Sequence, residues 1–283
     1  MKNAFALINR IPPDALSLIP EYWNHRERDR NLIKLTHVCR GWRVLFASRP
    51  SLWNRLNCVD VNKTLAYLKR SQSSPLEVSL KGGKEKGVPY CDDALHLLDP
   101  HIGRVKSLVV IGVWEDVLLG ITTHFSCPVP LLEHLSITIH SSWTPVLKSA
   151  LFDRDLSSLR TLELDGVATR LPWKNLSNLT SFSLSRVPED KFSTEALLNL
   201  FERAPLLRKV SLIHSIPNSS NAPPERVVSL PLLKEFDIRG SLPFSTLLNH
   251  LSVPPNALMT MTFNITGDRL PIQDHHPKSL ANF

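Results

Sequence analysis

A chain of 283 residues with 42% hydrophobic and 21% charged content can bury a sizeable core in one large or two smaller domains, which excludes disorder of the whole chain. Its net charge of +7 is uneven, because residues 1–75 hold 13 Lys or Arg against 5 Asp or Glu, whereas residues 76–283 hold 20 against 21. The excess is confined to the first quarter, and the near-neutral remainder excludes a basic surface running the length of the chain.

In chain order, the first predicted element is a helix opening at Pro12-Pro13, where a missing N–H costs nothing, with Leu16 and Ile19 on one face. A second helix is expected through Ile33, Leu35, Val38, Cys39 and Trp42, whose spacing makes an apolar stripe with Arg40 and Arg43 pointing elsewhere. Leu52-Trp53 closes the segment. No set of residues here supports chemistry, so the segment reads as a small helical docking module.

The order of these motifs carries more than any one of them. Ile11-Pro12-Pro13-Asp14-Ala15-Leu16, then Val38-Cys39-Arg40-Gly41-Trp42-Arg43, Leu52-Trp53, and finally Ser73-Ser74-Pro75-Leu76-Glu77-Val78-Ser79-Leu80 closely resemble the F-box-like domain of fungal proteins. The resemblance covers about residues 8 to 80. It implies a module that binds the adaptor subunit of an SCF-type cullin-RING ubiquitin ligase. Carried over position by position, it makes Pro12, Leu16, Ile19, Leu35, Val38, Cys39, Trp42, Leu52 and Trp53 the candidate adaptor contacts, some of which must instead hold the module's own helices together. The sequence departs from the fungal pattern in its middle segment, Trp23 to Arg30, which is basic rather than acidic. The heptad-like helix that often precedes such a box is also missing from it. An acidic adaptor explains the local basic charge as well as a phosphate backbone does.

Beyond residue 100 a Leu-x-x-Leu-x-Leu unit recurs. Its copies are Val105-x-x-Leu108-x-Val110, Leu132-x-x-Leu135-x-Ile137, Leu159-x-x-Leu162-x-Leu164, Leu179-x-x-Phe182-x-Leu184, Leu207-x-x-Val210-x-Leu212 and Leu233-x-x-Phe236-x-Ile238, with a degenerate Leu258-x-x-Met261-x-Phe263. The steps of about 20–28 residues match a leucine-rich repeat. Alternation within each unit predicts a strand. Helical stretches are expected between units, most clearly Ser193 to Pro205 with a Ser or Thr cap, Glu195 in the first turn and a terminating proline. The Asn or Cys of the full pattern is replaced by Val167, Val187, Ser215 or Ser241, so the loops must be held some other way. Leu76, Val78 and Leu80 are expected in the first strand.

The predicted fold class is therefore α+β or α/β: a helical F-box over 8–60, a connecting segment and first strand over 61–100, an irregular leucine-rich-repeat solenoid with a curved parallel sheet over 101–267, and a tail over 268–283. A non-repeating α/β domain with Leu-rich strands is the alternative. If Leu162 and Leu164 point inward, the outward parity gives a small, polar concave face, with His134, Thr161, Glu163, Asp165, Lys209, Glu235, Asp237 and Arg239 as candidate target contacts. That row lacks the basic stripe and stacking aromatics of a nucleic-acid surface and suits a protein or peptide. A merely solvated face, with binding done by loops, reads the same row equally well. Ile216 to Arg226, with three prolines, reads as an inserted loop.

Chemistry is not expected. Cys39, Cys58, Cys91 and Cys127 have no Cys-x-x-Cys or zinc spacing, His275-His276 lies in a Pro-rich tail, and no P-loop, Gly-x-Ser-x-Gly or His-Glu-x-x-His occurs. No catalytic, cofactor or metal residues are assigned, and no cofactor. Ala4 to Ile8 is too short for a signal-peptide core and no run approaches a membrane span. An intracellular protein of cytoplasm or nucleus is expected, with the ligase adaptor and a protein substrate as partners and no membrane. Its function is expected to be substrate recognition for the ligase, or else an adaptor-independent interaction scaffold.

Overall fold

Pro13 stands in the first turn of α1 (Pro13–Leu18) with Pro12 as its N-cap, and Asp14 lies beside the N-terminal N–H groups, where a negative charge complements the helix dipole. This computed structural model describes residues 10–23, 25–81, 92–112, 128–140, 144–147, 156–169, 176–215, 217, 222–240 and 245–263. The expected tail, Cys91, Cys127 and His275-His276 lie outside them, and the proposed loop at 216–226 lies partly outside. A 3-10 turn at Ile19–Tyr22 leads to α2 (His25–Thr36) and α3 (Arg40–Ala47).

The single stripe expected from Ile33 to Trp42 is divided between two helices. Cys39 is extended, with φ −158° and ψ 172°, and its Sγ accepts the Trp42 N–H at 3.5 Å, so it caps α3 instead of continuing α2. Arg43 Nε then donates to the Thr36 carbonyl at 2.9 Å and satisfies a C-terminal group of α2. A 3-10 turn at Pro50–Leu52 and the two-residue strand β1 (Arg55–Leu56) follow. The unit ends in α4 (Val61–Ser71), where Asp60 accepts the Lys63 N–H at 2.6 Å as N-cap.

Trp53 is the centre of this unit, at 0% exposure. Its indole Nε1 donates to the Phe46 carbonyl at 2.8 Å, its ring meets Tyr67 edge-on at 5.0 Å between centroids, and the Arg70 guanidinium lies 4.3 Å from its centroid. Arg104, which enters the next element, donates from Nη1 to Ser71 Oγ at 3.1 Å and to the Ser74 carbonyl at 2.9 Å, closing the end of α4. Burial holds its pKa below the usual arginine value.

The remaining main strands are β2 (Leu76–Lys81), β3 (Val105–Ile111), β4 (His134–Thr138), β6 (Thr161–Asp165), β8 (Ser181–Ser185), β9 (Lys209–Ile213), β11 (Glu235–Gly240) and β13 (Leu258–Phe263). Together with β1 they form one nine-stranded sheet in chain order, every pair parallel. Parallel pairing needs a crossover between each pair. In two places the crossovers of successive strands pair as well: β5 (Val146–Leu147) with β7 (Ala168–Thr169), and β10 (Val228–Ser229) with β12 (Leu251–Ser252). A full helix, α6 (Thr194–Arg203), occupies the crossover from β8 to β9, capped by Ser193 Oγ accepting the Ala196 N–H at 3.1 Å. A shorter α5 (Asp92–His96) and α7 (Ser245–Leu248) lie in two others.

Alternation along each strand fixes the layers. Leu108, Leu135, Leu162, Phe182, Val210 and Phe236 pair across the sheet in one row, Val110, Ile137, Leu164, Leu184, Leu212 and Ile238 in another, and all are buried. The leading Val105, Leu132, Leu159, Leu179, Leu207 and Leu233 are buried too. The N–H groups of the last five of these all bond back three residues, so one turn is repeated before each strand. The last copy differs from expectation. Phe236 pairs with Met259 and Ile238 with Met261, so β13 sits two residues from the frame read in the sequence, and Leu258 is 66% exposed. Asn256 occupies the leading-leucine place, which is why the pattern misled there.

Two further expectations change. Leu76 to Leu80 form the second strand, because β1 precedes it and Glu77 N–H donates to the Asn54 carbonyl at 2.9 Å. The loops are held by a serine and by backbone ladders. Ser215 Oγ accepts the Val187 N–H at 2.9 Å and donates to the Ile213 carbonyl at 3.1 Å, while Gly112, Gly166, Arg186 and His214 each donate to the following repeat.

Candidate functional site

Among the described residues no group of three His, Cys, Asp or Glu is placed to hold a metal, and no helix is long and apolar enough to cross a membrane. Two surfaces and the seam between them can be built from named residues.

The helical unit sorts the nine expected contacts by burial. Leu16, Trp42, Leu52 and Trp53 are in the core, and Ile19 and Leu35 pack half-buried against it. Pro12, Val38 and Cys39 are exposed. Trp53, with its indole N–H already bonded inside, serves the unit's own packing. Leu32 and Phe46, which the sequence pattern passed over, are fully buried on α2 and α3. Val44, also passed over, is 62% exposed and Val38 57%. Ile11, Leu18, Tyr22 and Ile33 are exposed as well. The signal that could have found Val44 is helical phase: with α3 starting at Arg40, Trp42 and Phe46 face the core and Val44 faces away. Exposed Arg30 and Lys34 stand on α2 and exposed Arg40 and Arg43 on α3. Ion pairs cross the unit, Arg49 to Asp14 at 2.5 Å and Lys63 to Asp29 at 2.5 Å.

The outward face of the sheet carries three rows of mostly polar side chains. The central one runs Ser79, Val109, Ser136, Glu163, Ser183, Ser211, Asp237 and Thr260, each paired with the next. All eight expected target contacts lie on this face. Glu163, Lys209, Glu235 and Arg239 are exposed, and His134, Thr161, Asp165 and Asp237 are half-buried. The charges are mutually engaged: Lys209 with Glu235 at 2.8 Å, Arg239 with Asp237 at 2.9 Å, and Arg186 Nε with Asp165 at 2.6 Å. The hydrogen bond and charge of Glu235, then Asp237 and Glu163, hold the Lys209 ammonium above its ordinary pKa. Such exposed pairs add little stability. They do fix which charges a partner meets.

Where α2 overhangs the start of this face there is a cleft of about 620 Å3 between Arg28 and Asp29 of α2, the β1 end, and strands β2 and β3. None of its residues belongs to the expected target contacts. The signal available in the sequence was the pair Val109 and Ile111, two apolar side chains at outward positions of a mostly polar face. Comparison with known protein families and with curated proteins gives no match for this chain.

Proposed function

We propose that this chain is a substrate-recruiting subunit of an SCF-type cullin-RING ubiquitin ligase. In this reading the helical unit is an F-box-like adaptor dock, and the sheet is the concave side of an irregular leucine-rich-repeat solenoid that holds a protein target. The observation that carries it is the apolar exposure of Val38, in the turn after α2, and Val44, on α3, beside the exposed Ile11, Leu18, Tyr22 and Ile33 of the same unit. Exposed apolar side chains gathered on one small unit that also carries exposed charge mark a protein contact. The surrounding arginines and lysine suit an acidic adaptor and would speed its capture. The ordered sequence motif and the repeated strand-and-turn geometry support the same reading.

The mechanism is proximity. A target held by the sheet stands at high effective concentration beside the charged conjugating enzyme, and the transfer chemistry belongs to other subunits. Capture by purified adaptor tests it. Val38→Asp with Val44→Asp is expected to abolish capture while leaving the melting temperature within about 2 °C, since exposed substitutions change stability by about 0.5 kcal/mol or less. Undiminished capture by the double variant would move the interface elsewhere. Failure of the native chain to bind any adaptor would favour the adaptor-independent scaffold.

A further inference from the structure

We infer that the rim of the sheet where β9 and β11 begin binds an acidic segment of a partner protein, its carboxylates on Arg208 and Lys234 and its aliphatic side chains over Leu206 and Leu232. These are the seventh and eighth strands in the sheet order that starts at β1 of the helical unit. The inference goes beyond the ligase reading, since such a rim serves a recruiter and an adaptor-independent scaffold alike.

At the start of the strands a backbone ladder stacks Lys106, Glu133, Arg160, Thr180, Arg208 and Lys234, each N–H after the first donating to the carbonyl before it at 2.8 Å. In the first half of this ladder the signs alternate, and Glu133 is shared by Lys106 at 3.5 Å and Arg160 at 3.8 Å. In the second half Arg208 and Lys234 stand exposed on adjacent strands, whose spacing is about 4.8 Å. Among the described residues neither side chain has an ion pair. The next carboxylate along the chain, Glu235, is taken by Lys209 at 2.8 Å. Like charges side by side on neighbouring strands are destabilising. An incoming carboxylate relieves that cost, whereas an incoming cation adds to it.

The same rim is apolar as well. Pro205-Leu206-Leu207-Arg208 and Pro231-Leu232-Leu233-Lys234 repeat one pattern. In both, the second leucine is buried and its N–H bonds back three residues, to the Ala204 carbonyl at 3.2 Å and the Leu230 carbonyl at 3.1 Å. The first leucine is left outside, 39% exposed at Leu206 and 42% at Leu232, two residues before its cation. The matching turn before β4, Pro130-Leu131-Leu132-Glu133, carries a carboxylate in the cation's place. Exposed leucine and unengaged cation therefore coincide at β9 and β11. Neither turn carries an aromatic side chain on which a base could stack, and a phosphate backbone offers nothing aliphatic to cover the leucines. A peptide with alternating carboxylates and aliphatic groups answers both features.

Fluorescence anisotropy on the full chain at physiological salt, with a labelled, acetylated and amidated Glu-Leu-Glu-Leu-Glu peptide as probe, tests the inference. Submillimolar binding is expected. Arg208→Glu with Lys234→Glu should weaken it about tenfold or more, and Leu206→Asn with Leu232→Asn about fivefold or more. All four positions are exposed, so the thermal midpoint should stay within about 2 °C of native. Arg30→Glu with Lys34→Glu, on the basic helical unit, should leave binding within about twofold, because distant exposed charges are screened. No binding at millimolar peptide, an unchanged affinity in either rim variant, or an equal loss in the helical-unit variant would each overturn it. So would equally tight binding of the Glu-Ala-Glu-Ala-Glu peptide, of the Lys-Leu-Lys-Leu-Lys peptide, or of a labelled oligothymidylate.

Discussion

Gly166 is where the fold makes its sharpest demand on sequence. It follows β6 with φ +68°, and a Cβ built there would stand 2.4 Å from the Ile139 carbonyl oxygen of the preceding repeat. The left-handed conformation alone costs an L-residue about 1–2 kcal/mol, and Arg186 and His214 carry that cost at the equivalent places after β8 and β9, with φ of 53° and 49°. Space is what distinguishes Gly166. Relieving a 2.4 Å contact means moving two backbones apart by about 1 Å, in a region where the Ile139 N–H donates to the Asp165 carbonyl at 2.8 Å and the Gly166 N–H to the Ser185 carbonyl at 2.8 Å. Overpacking of this kind costs about 1–3 kcal/mol. The lost unfolded-state freedom of glycine returns about 0.4–1 kcal/mol. Gly166→Ala is thus expected to destabilise by about 2–4 kcal/mol, or to lower the melting temperature by about 3–7 °C. Urea and thermal melts measure this, with Gly103→Ala as control, because a Cβ at Gly103 meets nothing within 4 Å. A Gly166→Ala midpoint indistinguishable from native, or a Gly103→Ala loss of equal size, would refute the reasoning.

Ser215→Ala should leave the Val187 N–H without its acceptor in a buried loop and cost about 1–3 kcal/mol; amide exchange at Val187 should speed up accordingly, and unchanged protection would show that the loop is held otherwise. Burial, then the Arg104 charge, lowers the pKa of His101 from its ordinary 6.5. The unfolded chain then binds more protons between the depressed value and 6.5, so this contribution to stability is present above pH 6.5 and is lost as pH falls towards the folded pKa. His101→Gln should therefore flatten the decline of the urea midpoint between pH 7.5 and 5, and parallel declines in the two proteins would dismiss the assignment.

The sheet was legible because one face of each strand is buried. Period-two alternation then has a single solution, and the rows through Leu108 and Val110 fall where the repeat put them. Helix boundaries in the first unit were not legible from apolar spacing alone. Val38 and Cys39 continue the apolar spacing of α2, yet a new helix starts at Arg40, which leaves the Trp42 N–H without an intrahelical acceptor, and the extended Cys39 supplies one through its side chain. That error placed Val38 in a stripe with Trp42, whereas one is exposed and the other buried. The cleft was hidden for a different reason. It is made by Arg28, Val59 and Val109, whose approach depends on tertiary packing that no local period encodes.

That packing bears on how a two-ended recruiter would work. Proximity raises the effective concentration of a target only if the distance between its two holding surfaces is fixed. Here the helical unit and the sheet share a core: β1 leaves the unit to pair with β2, Trp53 is locked by Phe46, Tyr67 and Arg70, and Arg104 at the threshold of β3 closes the last turn of α4. The cleft uses the same junction, taking Arg28 from the unit and Val109 from the sheet. Under the proposed function, a partner bound at Val38 and Val44 would be held at a set distance from a target on the sheet. Loosening the junction should uncouple the two ends before it abolishes either.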